Sequence, residues 1–320
     1  MNTVKHDVTV IGTGPSGLAA ALAADSNGAK TLLIENEASL GGIIKQYIYN
    51  GFYHSNYQNK NSWLDYAQNF INQIYNTSIK IMVLTYITKF KKTENGFELT
   101  LVNKEGITKI ISKSIIFARG CREHISRYIE AHGRHCAGIF TTGTVQYYMN
   151  MLGKIPAKNC IIIGANEIGL ITAHRLQSEG IQVLGVYEAE ISKNEPKNNI
   201  RQCLESFNIP FYSGKTVTRI YGEVHLNSVE ISSVDNNMTP IAGTEEKIEC
   251  DALILAAGII PENEFAESLG IPVDKITGEL LTDKNYMTIY EGIFYCGSAM
   301  PVYESGEAAG RAAANWAIRY

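Results

Sequence analysis

The chain has 320 residues, 45% hydrophobic and 19% charged. That is about two ordinary domains' worth of sequence, with ample material for buried cores and too little polarity for wholesale disorder. Twenty-eight basic against 32 acidic side chains leave a net charge of −4, which offers no electrostatic footprint for nucleic acid. No run of roughly 18 apolar residues exists to span a bilayer, and the first residues lack the basic-then-apolar plan of a secretory leader, so a cytoplasmic protein is expected. Six cysteines (Cys121, Cys136, Cys160, Cys203, Cys250 and Cys296) are too few for a disulfide scaffold, and none forms a C-x-x-C pair. Their expected role is that of small buried hydrophobes.

Taken in chain order, an apolar strand over Asp7–Ile11 runs into Gly12-Thr-Gly14-Pro15-Ser16-Gly17. An Ala/Leu-rich helix follows to about Asn27, then a second strand over Thr31–Glu35. Short alternating strands are expected over Leu84–Phe90, Phe97–Val102 and Ile107–Ile111, with the turn Asn95-Gly96 between the first two. A closing strand from Ser114 ends in small residues at Gly120. The plan then recurs. A strand over Asn159–Ile163 meets Gly164-Ala-Asn166-Glu-Ile-Gly169, a helix runs through Ser178, a strand covers Gln182–Glu188, and a closing strand runs from Asp251 to Gly258. This doubled pattern predicts an α/β protein with two Rossmann-like dinucleotide-binding domains. The tail, with Gly292–Ser298 and a helix opening near Ser305, fits neither copy.

In the first turn, Gly12 permits the tight bend, Gly14 lets backbone approach a pyrophosphate, and Gly17 lets helix and strand pack closely. The helix N-terminus offers N–H groups and a positive dipole end to phosphate. Glu35, 23 residues after Gly12, is placed to accept from a ribose 2′-OH and to repel a 2′-phosphate. In the second turn Asn166 replaces the middle glycine. Asn tolerates left-handed geometry better than most residues, yet its side chain projects into the ligand's space. Glu188 repeats the acid, so a nicotinamide cofactor at Gly164, Asn166, Gly169 and Glu188 would be NAD rather than NADP. The alternative is a duplicated domain kept as scaffold.

These motifs, together with Leu40-Gly41-Gly42-Ile-Ile-Lys45-Gln46 and Gly292-Ile-Phe-Tyr-Cys-Gly297, make the chain resemble the two-dinucleotide-binding-domain flavoproteins, the pyridine nucleotide–disulfide oxidoreductase superfamily. Gly120-Cys-Arg-Glu123, Ala137-Gly-Ile-Phe-Thr-Thr-Gly143-Thr-Val-Gln146 and Glu167-Ile-Gly-Leu-Ile171 bring it nearest to the flavin subunits of amino- and imino-acid dehydrogenases. Those are the opine oxidase, sarcosine oxidase, proline dehydrogenase and hydrogen cyanide synthase types. The resemblance implies FAD on a discontinuous first domain, 1–121 with 256–320, into which an NAD(P)-binding-like domain, 122–255, is inserted. It implies Gly12, Gly14, Pro15, Ser16 and Gly17 at the pyrophosphate, Glu35 at the adenosine ribose, and Gly42 and Gln46 by the ribityl–flavin end. Ile87 would contact adenine, Ala118 and Gly120 would lie on the passing strand, and Gly297 with Ser298 would approach the ribityl chain. Ser298 departs from the family's usual Asp or Asn, and Arg119 from its usual small or apolar residue. The helix opening at Ser305 and Gly306 is the candidate for stabilising charge on a reduced flavin.

Disulfide-reductase chemistry needs two neighbouring thiols, and the Gly41-Gly42 segment leads to Tyr47 instead. Tyr47, Tyr49, His54 and Tyr303 are candidates to line the substrate face, with no catalytic residue assigned. Cys121, His124, His132, His135 and Cys136 crowd metal-ligand types together, but their spacing matches no zinc site, and no metal is expected. The Cys-rich C-terminal extension that carries an iron–sulfur centre in longer relatives is not implied, since the sequence stops at Tyr320.

Three functions stay open. The first is an FAD-dependent oxidoreductase taking a hydride from a small amino- or imino-acid-like donor and passing electrons to a partner, quinone or oxygen. The second is an NADH-dependent flavin reductase. The third is a flavin-holding subunit inactive without a partner chain. The expected partners are a small-molecule substrate and either a partner subunit or a second copy of the chain.

Overall fold

The computed structural model describes residues 3–46, 63–124, 131–134, 136–191, 204–297 and 302–319. They form two compact units, Met1–Arg122 with Ile260–Tyr320, and Glu123–Ile259. Among the described residues no helix is long and apolar enough to cross a membrane.

In the first unit, strand β1 (Thr3–Ile11), helix α1 (Pro15–Ser26), β2 (Thr31–Ile34), helix α2 (Trp63–Tyr75) and β3 (Lys80–Met82) precede an antiparallel meander of β4 (Tyr86–Thr93), β5 (Gly96–Asn103) and β6 (Gly106–Phe117). The chain leaves this unit through the short strand β7 (Cys121–Glu123) and returns through β17 (Ile259–Pro261) and helix α5 (Glu264–Ser268). The sheet order is β3-β2-β1-β6-β5-β4, with a late strand, β18 (Ile293–Tyr295), also pairing β6. The first part of β6 pairs β5 antiparallel, and residues 115–117 pair β18 in parallel. The parallel part of the sheet is therefore β3-β2-β1-β6-β18, in the manner of a doubly wound α/β fold.

Successive residues of these strands point to opposite faces, and both faces are covered. Val8, Val10, Leu33, Ile116 and Phe294 pack on the side of α1, while Ile11, Leu32, Ile34, Ile115, Phe117 and Ile293 pack with Leu99 and Leu101 of the meander. That double burial is why the strands read as unbroken apolar runs rather than as alternation.

One element differs from expectation. The third meander strand and the closing strand are a single 12-residue strand, β6. The polar stretch Ser112-Lys113-Ser114 reads as a break in the sequence, but its hydroxyls are satisfied internally. Thr9 Oγ1 donates to Ser112 Oγ at 2.9 Å, and Ser112 Oγ donates to the Ser114 carbonyl at 2.8 Å. Buried hydroxyls so paired cost little.

The last helix of the chain, α6 (Val302–Arg319), lies on α1. A Cβ on Gly306 would stand 2.2 Å from the Ser16 carbonyl oxygen, and one on Gly310 would stand 2.2 Å from that of Ala20. Two glycines one turn apart thus bring backbone against backbone. Ala309, Ala313, Ala314 and Ala317 complete the buried stripe. Lys113 Nζ donates to the Ala317 carbonyl at 2.9 Å, placing a cation at the helix C-terminus.

The second unit repeats the plan. Strand β10 (Asn159–Ile163), helix α4 (Glu167–Ser178), β11 (Gln182–Glu188), β12 (Phe211–Ser213) and β16 (Ala252–Leu255) join β9 (Ile139–Thr141) in a parallel sheet of order β12-β11-β10-β16-β9. A second sheet, β15 (Glu246–Glu249), β14 (Leu226–Ser233), β13 (Lys215–Gly222) and β8 (His132–Gly133), covers one face. Helix α4 covers the other, with Val145 of the short helix α3 (Thr142–Gln146) in the same cluster.

His6 on β1 is 5% exposed, and neither ring nitrogen finds a hydrogen-bond partner among the described residues. Burial, reinforced by Lys30 and Lys80 and opposed by Asp7, pushes its pKa down to about 4. The imidazole is then neutral in the fold but titrates near its ordinary value in the unfolded chain. Its contribution should be intact above about pH 6.5 and lost as pH falls through the window from about 6.5 to about 4, by up to about 3 kcal/mol. Urea unfolding midpoints across that window should fall for the wild type and fall less for His6→Val. Equal slopes would remove His6 from the account.

Candidate cofactor-binding site

The first turn is built by backbone proximity. Gly12 has φ +104° and lies so close to the end of β6 that a Cβ would stand 2.3 Å from the Ala118 carbonyl oxygen. A Cβ on Gly17 would stand 2.0 Å from the Gly12 carbonyl oxygen. These two glycines are demanded by the fold itself.

Gly14 is different. It occupies the N-cap of α1 with φ −62° and ψ 178°, a conformation open to any residue, and a Cβ there would meet nothing within 4 Å. Among the described residues nothing in the packing requires a glycine at this point. Beside it, Gly42 has φ +57°, and its Cβ would stand 2.9 Å from Gly14 Cα. Two bare backbones therefore meet at the N-terminus of a 12-residue helix, with open space on the Cβ side of Gly14, where N–H groups and the dipole favour phosphate oxygens. This is a cradle that side chains would fill, and it fits a dinucleotide pyrophosphate.

The acid at the end of the second strand is also in place. Glu35 is 6% exposed. Its Oε2 accepts from the Thr13 N–H at 3.0 Å and from the Thr13 hydroxyl, and its Oε1 accepts from the Glu37 N–H at 2.8 Å. A carboxylate offers about four acceptor positions, so one remains for a ribose hydroxyl. The motif alone does not single out Thr13, yet its hydroxyl fixes the carboxylate's orientation.

At the carboxyl ends of β6 and β18, Gly120 (φ +70°) and Gly297 (φ +91°) approach each other, a Gly120 Cβ standing 4.0 Å from the Gly297 carbonyl oxygen. Gly12, Gly14, Gly42, Ala118, Gly120 and Gly297 thus gather at the strand ends of the first sheet, where open α/β sheets place their ligands. Gln46 ends the short 3₁₀ turn Gly42–Gln46. Ile87 lies in β4 opposite Leu101, next to a bulge. The final helix begins at Val302, three residues before Ser305, so Ser305 and Gly306 lie within its opening turns rather than at its start. Gly306 serves the contact with Ser16. Ser298, Tyr47, Tyr49, His54, His135 and Cys203, and the side chain of Tyr303, lie outside the described residues.

Arg119, unexplained by the motif, pairs with Glu262 at 3.3 Å, and Arg122 pairs with Glu264 at 2.6 Å. The carboxylate beside it holds the Arg122 pKa above the ordinary range, and the guanidinium holds Glu264 below it. Both pairs fasten the end of β6 to the segment by which the chain re-enters the first unit. Their partners lie more than 140 residues away, out of reach of local reading.

In the second unit, Gly164 (φ +101°) and Gly169 repeat the close approaches, with Cβ positions 2.3 Å from the Ala256 carbonyl oxygen and 2.4 Å from that of Gly164. Glu188 Oε2 accepts from the Ala165 N–H at 2.8 Å. Asn166, expected to exploit a tolerance for left-handed backbone, has φ −69° and ψ 168° instead. The left-handed residue of the turn is Gly164. Glu123 Oε1 accepts from the Gly143 N–H at 2.7 Å and from the Thr142 hydroxyl, so the Gly120–Glu123 and Ala137–Gln146 motifs meet through this carboxylate.

Of the described cysteines, Cys136, Cys160, Cys250 and Cys296 are buried and Cys121 is half-buried. Burial pushes the Cys160, Cys250 and Cys296 thiols up to about 12, leaving them inert as nucleophiles at neutral pH. Among the described residues no three His, Cys, Asp or Glu side chains converge as a metal site would require.

A twofold strand–glycine turn–helix build with one open phosphate cradle defines a dinucleotide-dependent two-unit protein of the flavoprotein type. The family model for pyridine nucleotide-disulphide oxidoreductases matches residues 6–313, and the chain belongs to that family, whose members are FAD-binding flavoproteins that in some cases use NAD(P). One of the opine oxidase subunits of Agrobacterium tumefaciens is 20% identical over 327 residues, covering 97% of this chain and 64% of that protein. The chain thus spans less than two thirds of this curated relative. In fold it is similar to thioredoxin reductase from T. acidophilum, with TM-score 0.76 and 21% identity over 98% of both chains. It is also similar to L-proline dehydrogenase from P. horikoshii, with TM-score 0.69 and 18% identity over 99% of this chain and 56% of that one.

The geometry separates the glycines by experiment. Gly14→Ala should leave the melting temperature of the cofactor-free protein unchanged within a degree or two while weakening FAD affinity by about tenfold or more, since the added methyl meets only ligand. Gly17→Ala should lower the melting temperature of the cofactor-free protein outright through overpacking. Calorimetric melting together with FAD titration reads both. A Gly14→Ala protein with native FAD affinity would refute the cradle.

Proposed function

We propose that this protein is an FAD-dependent dehydrogenase that takes two electrons from a small amino- or imino-acid-like donor and delivers them to a partner subunit, quinone or oxygen. In this reading the first unit, with Gly12, Gly14, Pro15, Ser16 and Gly17 at the pyrophosphate and Glu35 at the ribose, is the FAD domain. Gly42, Gln46, Ile87, Ala118, Gly120 and Gly297 line the rest of the cofactor's path. FAD would supply the hydride acceptor; the protein's part is to orient donor and ring and to exclude water.

The observation that carries the reading is the open cradle at Gly14 and Gly42 in a chain whose described residues hold no usable thiol pair. A disulfide reductase must exchange electrons between flavin and two thiols, and the described cysteines are buried or, for Cys121, half-buried; Cys160 and Cys250, near enough to interact, both have thiols pushed up to about 12 by burial. The likeness to one of the opine oxidase subunits favours a C–H donor attached to nitrogen. That likeness also supports a second reading, in which the chain holds flavin and a partner completes the substrate pocket.

Anaerobic addition of proline, sarcosine or an opine should bleach the flavin absorbance, and NADH should not. Bleaching by NADH or by a dithiol, but by none of the amines, would overturn the proposal. A yellow protein bleached by none of them would favour the partner-dependent reading.

A further inference from the structure

The two glycine turns differ in one side chain. Gly14 and Asn166 occupy equivalent N-cap positions with nearly the same backbone, φ −62° and ψ 178° against φ −69° and ψ 168°. Gly12 and Gly164 share the same positive φ, +104° and +101°, and the same 2.3 Å approach to a closing-strand carbonyl. Each turn joins the next strand alike, Gly12 N–H donating to the Ile34 carbonyl at 2.9 Å and Gly164 N–H to that of Tyr187 at 2.7 Å. Each acid is fixed by the residue after the first glycine.

Where the first turn is bare, the second is filled. Asn166 Oδ1 accepts from the Gly169 N–H at 2.9 Å, and Asn166 Nδ2 donates to the Ala256 carbonyl at 2.6 Å. The amide therefore bridges the first turn of α4 and the end of β16, across the place where a phosphate would lie against the helix N-terminus. The donor that an anion would seek is taken by the protein's own acceptor.

We infer that the Asn166 side chain is a built-in occupant of the phosphate position of the second turn, and that it closes the Glu123–Ile259 unit to nicotinamide dinucleotides. The rest of a nucleotide site is kept, including Gly164, Gly169 and Glu188, so a single residue decides. To admit a pyrophosphate the amide must swing out and give up both hydrogen bonds. Those two losses together weaken binding by about thirtyfold relative to an open turn. The inference concerns the second unit alone and stands whichever amine- or imine-type donor reduces the first.

The test is calorimetric titration of NADH and NAD into the FAD-loaded wild type, Asn166→Gly and Asn166→Ala. Glycine restores the Gly14 arrangement and is tolerated at an N-cap better than alanine. Alanine removes both hydrogen bonds while leaving a small side chain. The wild type should show no saturable binding up to millimolar ligand, and both variants should gain affinity, glycine by about thirtyfold. FAD content, measured alongside, should stay near the wild type, while the melting temperature should fall by a few degrees, more for alanine than for glycine, as loss of the cap requires. Micromolar binding by the wild type would overturn the inference. So would variants with native FAD content that bind no better than the wild type.

Discussion

Helix α1 is held by backbone against backbone on two sides, and the first site depends on it. On one side Gly17 lies against the Gly12 carbonyl. On the other, Gly306 and Gly310 of α6 lie against the carbonyls of Ser16 and Ala20, each at distances no Cβ could share. This clasp brings the N-terminus of α1 up to the ends of β1 and β6 and leaves it little freedom to tilt. Close-packed interiors transmit such constraints because their voids are too small to absorb movement. A helix end held in this way can aim its N–H groups before any ligand arrives.

The duplicated second unit shows how narrow the difference is between a phosphate site and a scaffold. The backbone of the two turns is the same, and the acids at the ends of β2 and β11 are tethered in the same manner. The two helix starts differ at the cap: Gly14 brings no side chain to the N-terminus of α1, whereas the Asn166 side chain accepts from the Gly169 N–H of α4. Capping and ligand binding compete for the same N–H groups, so a gain in intrinsic helix stability is a loss in anion affinity.

Polar groups inside the first unit mark where the sheet had to be continuous. Thr9, Ser112 and Ser114 sit fully buried along β1 and β6 and bond to each other and to main-chain carbonyls, which lets one strand carry the meander at one end and β18 at the other. Arg119 and Arg122, paired with Glu262 and Glu264, secure the return of the chain at the same edge. Partly exposed ion pairs of this kind contribute modestly to stability. Their service is positional: they hold the end of β6 near Gly120 and Gly297.

The sequence by itself determined the doubled α/β plan, the roles of Gly12 and Gly17, the acids at Glu35 and Glu188, and the family likeness. Each rests on local spacing: a strand, a tight turn and a helix are set by neighbours within about 25 residues, and their glycines and periodicity are visible in one dimension. Only the tertiary structure decided the rest. It separated Gly14, which meets none of the described protein, from Gly12, Gly17 and Gly42, which close backbone approach demands. It reassigned Gly306 from a helix start to a helix contact, joined two expected strands into β6, and gave Arg119 a partner. It turned Asn166 from a question of backbone tolerance into a bridging amide. In every one of these cases the deciding atom belongs to a residue distant in the chain or to an empty volume, and neither leaves a mark on local residue order.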